Sequence, residues 1–206
     1  MKVLLLNGSP HETGCTYTAL KEVSDELERC GVETEIFHIK QPQTGCMGCK
    51  RCRELGKCIF EKDLVNTVIE KAAQSDGFIF GSPVHYASAS GNITSFLDRC
   101  FYAGGAKFAY KPGACVVSCR RGGASASFDQ LNKYFTISNM PVVSSQYWNS
   151  VHGNSPEEVR QDAEGLQIMR TLGRNMAWLL RCIEAGRAAG INRPAPEQRI
   201  STNFIR

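Results

Sequence analysis

Four cysteines fall between positions 46 and 58, in the order Cys46-x2-Cys49-x2-Cys52-x5-Cys58. Four thiolates converging in so short a loop repel one another and need a cation to offset their charge. Closely spaced runs of this kind match the compact ligand sets of iron–sulfur clusters better than zinc sites, which usually divide their ligands into two separated pairs. Lys50, Arg51, Arg53 and Lys57 share the stretch and would moderate the negative charge. Two other readings stay open: a zinc ion, or a metal-free loop whose thiols form redox disulfides. Cys15, Cys30, Cys100, Cys115, Cys119 and Cys182 are scattered through segments that read as regular structure. They are read as small apolar core residues, except Cys15, whose backbone N–H is the group of interest.

Three further stretches carry groups suited to a flat, phosphorylated ligand. The first, Gly8-Ser9-Pro10-His11-Glu12-Thr13-Gly14-Cys15-Thr16-Tyr17-Thr18, lies between an apolar run and a helix start. Ser9, Thr16 and Thr18 could offer hydroxyls, and the open N–H groups and dipole of the helix could hold a phosphate. It lacks the Gly-Lys-Ser/Thr of a Walker loop and the Gly-x-Gly-x-x-Gly of a dinucleotide turn, which points to a monophosphate. The plainer reading is that these residues only cap the helix and make the turn.

The second stretch, Gly81-Ser82-Pro83-Val84-His85-Tyr86-Ala87-Ser88-Ala89-Ser90-Gly91-Asn92, combines a rigid proline, backbone groups and an aromatic ring. Backbone N–H groups and the face of Tyr86 suit a flat heterocycle, and His85 is either a proton donor or a surface residue. The third, residues 118–125, holds Ser118, Arg120, Arg121 and Gly122. Its two guanidinium groups could stabilise the added electron density of a reduced ring, or simply face solvent.

The elements that must position these loops follow from apolar periodicity. Residues 2–6 form a short continuous apolar strand, and Leu20, Val23 and Leu27 recur at helical spacing after it. Strands are expected at 33–39, 77–80, 114–118 and 140–144, and helices at 64–74, 90–101 and 128–135. Ser155-Pro156-Glu157-Glu158 supplies an N-cap, a first-turn proline and acidic residues for a long final helix. In it Met169, Leu172, Met176, Leu179 and Ile183 form one apolar stripe, facing the sheet or a partner. Five strands alternating with helices imply a flavodoxin-like, doubly wound five-stranded parallel sheet with helices on both faces. Ligands of such sheets bind beyond the carboxyl ends of the strands, which is where the three stretches fall. Residues 1–189 are expected to form this domain and 190–206 a C-terminal tail.

Composition limits the function classes. The 206 residues carry 24 Lys and Arg against 20 Asp and Glu, a net +4, without any block of about five or six like charges. That gives no case for nucleic acid or membrane as a partner. The early apolar run is too short for a secretory signal or a membrane span, so a cytoplasmic location is expected. Ten cysteines in this length fall below the roughly 8% of a disulfide scaffold.

Gly8-Ser9-Pro10-His11 with Gly14-x-Thr16, then Gly81-Ser82-Pro83-Val84-His85-Tyr86, then Ser90-Gly91 leading to Phe96-Leu97-Asp98-Arg99, resembles the NADPH-dependent FMN reductase branch of the flavodoxin-like superfamily. The resemblance covers roughly the first three quarters of the chain, in the expected order. It implies that Ser9, Gly14, Cys15, Thr16 and Thr18 bind the FMN phosphate. It also implies that Pro83, Val84, His85, Tyr86, Ser118, Arg120 and Gly122 line the isoalloxazine. The family commonly carries an Arg near the position of His11; its absence here leaves the phosphate to the helix N-terminus and the hydroxyls. The cysteine spacing resembles that of the iron–sulfur flavoproteins, a subgroup in which a [4Fe–4S] cluster passes single electrons to FMN. On that basis Cys46, Cys49, Cys52 and Cys58 are its candidate ligands.

The resemblance implies an FMN-dependent oxidoreductase passing electrons between NAD(P)H or an electron carrier and a quinone, flavin or other small acceptor. The cofactor carries the reaction, no side chain performs acid–base chemistry, and His85 and Tyr86 shape the acceptor pocket. A homodimer or homotetramer is implied too, since a single subunit leaves one face of the ring open. The competing readings are a non-enzymatic electron carrier or redox sensor that docks a protein donor at the cysteine loop, and a plain metal-binding adaptor.

Overall fold

β1 (Lys2–Asn7) is buried from Val3 onward, with Leu4 and Leu6 entering one core and Val3 and Leu5 the other. A strand apolar on both sides belongs inside a parallel sheet covered by two helical layers. The computed structural model describes residues 1–40, 42–198 and 200–202 and has that architecture. α1 (Cys15–Arg29) leads to β2 (Glu33–His38), and α2 (Cys52–Leu55) and α3 (Val65–Ala73) to β3 (Gly77–His85). β4 (Ser88–Ala89), α4 (Gly91–Gly104), β5 (Gly113–Cys119), α5 (Ala124–Thr136), β6 (Ser150–His152), α6 (Pro156–Gln161) and α7 (Ala163–Ala188) follow. Five strands are parallel in the order β2-β1-β3-β5-β6, and β4 pairs antiparallel with β3. This is the flavodoxin-like order, in which the winding reverses between β1 and β3.

α3, α4 and α5 cover the face that carries Leu4, Leu6, Phe78, Phe80 and Val117. Its centre is aromatic, with Phe80 and Phe135 stacked at 4.9 Å and Phe101 and Phe108 at 4.7 Å. α1 and α7 cover the other face, where Met169, Leu172 and Met176 are buried and Leu179 packs against them. The apolar stripe of α7 is therefore core as far as Leu179, while Ile183 is only partly buried. Arg170 to Glu22 and Arg174 to Glu26, at 2.5 and 3.0 Å, tie α7 to α1 along the rim. No described helix is long and apolar enough to cross a membrane.

Four sequence expectations need correction. The fifth parallel strand is Ser150–His152 rather than 140–144; there only an isolated bridge joins Val142 to Gly113. Ser144 and Ser145 are drawn to α7 instead, Asn175 Nδ2 donating to the Ser144 carbonyl and Ser145 Oγ to that of Ile168. The final helix is broken at Asp162, whose Oδ1 caps the Gly165 N–H at 2.9 Å and whose Oδ2 accepts from the His152 N–H at 2.7 Å. A Cβ at Gly165 would lie 2.3 Å from that carboxylate, so the cap closes only on glycine. Finally, β3 runs on to His85 and hairpins into β4, and α5 begins four residues before Phe128.

The described tail residues, 191–198 and 200–202, carry no helix or strand; Arg199 and residues 203–206 lie outside the described residues. Asp162 supplies a cap and a tether together. Asp162→Ala is expected to lower unfolding stability in urea by about 1–2 kcal/mol, and Asp162→Asn, which keeps the capping oxygen, by less.

Candidate functional site

The ends of β1 and β3 lie side by side, with Asn7 opposite Gly81 and the Gly8 N–H donating to the Gly81 carbonyl at 2.9 Å. A Cβ at Gly8 would come within 2.6 Å of Ile93 and 2.9 Å of that carbonyl oxygen. Asn7, fully buried, then curls the first loop: its Oδ1 accepts the Ser9 N–H at 3.1 Å and its Nδ2 donates to the Glu12 carbonyl at 3.0 Å. Ser9 Oγ accepts the His11 N–H at 3.1 Å, and Nε2 of His38, at the end of β2, lies 2.9 Å from the Ser9 carbonyl.

This loop delivers the chain to α1 with Gly14 as an extended N-cap and no side-chain capping bond. α5 likewise starts at Gly123, at φ 94°, without a side-chain cap. α4 and α7, by contrast, are capped by Ser90 and Asp162. The uncapped ends of α1 and α5 therefore keep first-turn N–H groups and positive dipole ends for an outside anion.

Long-range bonds draw the loops together. Thr16 Oγ1 and Ser118 Oγ, 1% and 4% exposed by residue, are 2.8 Å apart. The Cys15 thiol points at the Gly153 carbonyl, while the Gly153 N–H donates to that of Cys119. A Cβ at Gly123 would meet Ala87 Cα at 2.6 Å and Val84 Cγ1 at 2.8 Å, so the third stretch packs directly on the second. Ser9, Gly14, Cys15, Thr16, Thr18, Ser118, Pro83 and Val84 thus gather beyond the carboxyl ends of the central strands β1, β3 and β5. Within that set the Thr16 hydroxyl is engaged by Ser118, and Thr18 Oγ1 donates to the Gly14 carbonyl at 3.2 Å. His85, Tyr86, Arg120 and Gly122 face solvent instead. Tyr86 and Ala87 form the β3–β4 turn at φ 51° and 57°, and the Tyr86 ring is wholly exposed.

Several organising residues escape a reading of local motifs. Ser90 donates from Oγ to the Gly8 carbonyl at 3.1 Å and from its N–H to Ser82 Oγ at 2.9 Å. Gln130 Oε1 accepts from Ser88 Oγ and the Ala89 N–H, fixing the hairpin. Asn7, His38 and Gln130 give no sequence signal for these tasks; Ser90-Gly91 at a helix start is the one legible cue.

The four clustered cysteines form a second site. Cys46, Cys49, Cys52 and Cys58 line one cavity of about 220 Å³ with Phe60, Arg99 and Tyr102. Cys46 and Cys49 are exposed, Cys52 opens α2 with its thiol directed at the Tyr102 carbonyl, and Cys58 is buried. Asn66 clamps Cys58 from both sides, its Oδ1 accepting the Cys58 N–H and its Nδ2 donating to the Cys58 carbonyl, each at 2.9 Å. Among the described residues no three of His, Cys, Asp and Glu are placed to hold one metal ion. The cations expected to moderate the thiolates are all exposed, with Arg51 facing Glu54 and Lys57 facing Glu61. Among the described residues the buried cation here is Arg99, from α4, which bonds Cys58 Sγ. Of the other cysteines, burial pushes the thiols of Cys100 and Cys115 well up. Cys182 departs from the expected core role, lying on the solvent side of α7.

Residues 1–155 match the NADPH-dependent FMN reductase family. The chain belongs to that family. An iron-sulfur flavoprotein of Methanocaldococcus jannaschii is 30% identical over 193 residues, covering 89% of this chain and 100% of the relative. RosB, solved with 8-demethyl-8-formylriboflavin-5'-phosphate bound, is 14% identical and superposes with a TM-score of 0.68 over 100% of this chain and 94% of its own. An archaeal flavodoxin, 13% identical, gives 0.61 over 88% and 99%. These two solved structures share the fold. With the family match, the protein is a flavin-dependent oxidoreductase on a flavodoxin-like sheet.

The Thr16–Ser118 bond joins residues 102 apart and is sealed from water. Thr16→Val and Ser118→Ala are each expected to cost about 1–2 kcal/mol, because each leaves the other hydroxyl buried and unpaired. The double variant should lose less than the sum of the two in chemical denaturation.

Proposed function

We propose that the chain binds FMN across the loops after β1, β3 and β5 and moves electrons from NAD(P)H or an electron carrier to a quinone, flavin or other small acceptor. The observation that carries this reading is the open N-terminus of α1 at Gly14, set beside Ser9 and Thr18 at the reversal between β1 and β3. An uncapped helix start at that place fits a phosphate, the more so as the first loop holds no Lys or Arg. Ser9, Gly14, Cys15, Thr16 and Thr18 would supply that contact, chiefly through backbone N–H groups. Pro83, Val84 and Ser118 would flank the ring, with His85, Tyr86, Arg120 and Gly122 at its open side. Bound there, FMN supplies hydride acceptance and single-electron exchange. The chain's part is to grip, orient and shield. The exposed Tyr86 ring supports assembly as a dimer or tetramer, in which a second copy covers the open side.

The cysteine cavity fits a [4Fe–4S] cluster on Cys46, Cys49, Cys52 and Cys58. Its candidate donors are all sulfur, and all four line the one cavity. A cluster of four irons spreads its ligands wider than one zinc, whose thiolates sit at about 2.3 Å from the metal. Ten free cysteines suit a reducing, cytoplasmic setting. The exposed Cys46, Met47 and Cys49 also favour the second reading, a carrier that meets a protein donor at this loop; negligible NAD(P)H oxidation by a flavin that a partner reduces readily would select it.

Two experiments test these assignments. Gly14→Asp places a carboxylate at the helix start, capping it and repelling phosphate. It is expected to weaken FMN binding in a fluorescence titration at least tenfold, about 1.4 kcal/mol; because its Cβ would meet His11 Cβ at 2.9 Å, the control for a local shift of the loop is riboflavin, which lacks the phosphate and should lose less affinity than FMN. Equal affinity of both proteins for FMN, or a colourless preparation that takes up no FMN, would overturn the phosphate assignment. For the cluster, iodoacetamide should label Cys46, Cys49 and Cys182 in the native iron-free chain. After anaerobic reconstitution with iron and sulfide, only Cys182 of these three should still react; continued labelling of Cys46 and Cys49 would count against the ligand set.

A further inference from the structure

Arg99 is the largest side chain that the described fold buries completely, at 1% exposure. Burying a guanidinium is expensive unless all its donors are met, and an apolar side chain would fill the same space at lower cost. Its partners are unequal. Nη1 lies 2.5 Å from Asp63 Oδ2 and 3.3 Å from the Thr44 carbonyl, and the Phe60 ring lies beneath the guanidinium at 4.7 Å. The other two nitrogens, Nε and Nη2, both donate to one atom, Cys58 Sγ, at 3.3 and 3.2 Å.

A neutral thiol is a weak acceptor and gives little return for two buried N–H groups, whereas a thiolate makes both bonds charge-assisted. The fork geometry therefore suits a Cys58 sulfur that carries negative charge. Asp63 stands behind the guanidinium, so the pair forms a dipole with its positive end on the sulfur. The surface cations cannot do this, being exposed and screened by water.

We propose that Arg99 positions Cys58 and tunes the site it ligates: its two N–H bonds to Cys58 Sγ favour the electron-rich form and raise the reduction potential of the cluster, and Asp63 behind it sets how far. This inference rests on the cluster reading above. N–H bonds to ligand sulfur and local charge are among the factors that set such potentials. One helix links the arrangement to the flavin loops. α4 carries Ser90, bonded to the Gly8 carbonyl, at its start and Arg99 nine residues on, roughly 14 Å along the axis.

The test is an anaerobic spectroelectrochemical titration of the full chain, reconstituted with iron, sulfide and FMN, with iron and flavin counted per chain. Arg99→Gln removes the charge and the fork, and the cluster potential should fall. Asp63→Asn keeps the oxygen that accepts the Val65 N–H at 3.1 Å but removes the opposing anion, and the potential should rise. Opposite shifts at unchanged iron and flavin content cannot come from a structural role, which would move both variants the same way. Cluster potentials that stay at the wild-type value in both, or move together, would overturn the assignment while leaving the cluster reading intact. If Arg99→Gln does not fold, the upward shift in Asp63→Asn decides alone. A wild-type chain that takes up no iron and sulfide would remove the cluster reading and this inference with it.

Discussion

The constraint on which the crevice depends is a backbone-to-backbone approach. Gly8 and Gly81, at the ends of β1 and β3, share a 2.9 Å hydrogen bond, and neither has room for a side chain: a Cβ at Gly81 would lie 2.7 Å from Leu20 Cδ1. The winding reverses between these two strands, so their following loops leave in opposite directions and open a crevice. Asn7 curls the first loop across that crevice, Ser90 ties the second to it, and α1 presents its uncapped end. Separate the two glycines and each of these loses its reference point.

α4 converts this local constraint into a relation between two sites. Its N-cap, Ser90, spans the loops at the crevice, and its buried face carries Ile93, Phe96 and Leu97 into the aromatic core before Arg99 emerges at the cysteine cavity. A helix anchored at one end by hydrogen bonds and along its length by apolar packing is stiff on the scale of a side chain. The spacing between the crevice loops and the sulfurs is thus set by helix geometry and held within one chain.

Much of the fold was legible because buried parallel strands are apolar on both faces, as residues 2–6 and 114–118 are, and because helices alternate between them. The fifth strand was misplaced because Val142 and Val143 look like strand, yet Ser144 and Ser145 bond to α7, which no local pattern reveals. Asp162 separates α6 from α7 by capping the start of α7 with its own side chain, and an Asp between two helical patterns is indistinguishable in sequence from an exposed helical one. The site divides the same way. Gly14, Thr16 and the cysteines announce themselves by spacing, whereas their partners lie far off in sequence. Ser118 is 102 residues from Thr16, and Arg99 is 41 from Cys58.

That division explains which charges matter. Arg120, Arg121, Lys50, Arg51, Arg53 and Lys57 are conspicuous in the sequence and exposed in the fold, where water and salt weaken them. The charges that act at short range are inconspicuous: peptide dipoles at the starts of α1 and α5, and one buried guanidinium set over Phe60. A flavin phosphate and, on the proposed reading, a thiolate-bound cluster would both be anionic, and a protein of net charge +4 could meet them with surface lysine. Fixed dipoles and a buried cation need not reorganise when an electron arrives, and in a low-dielectric setting each acts more strongly per unit charge than a solvated side chain. An electron-transfer protein gains from that rigidity, since its cofactors change charge while the polypeptide around them stays still.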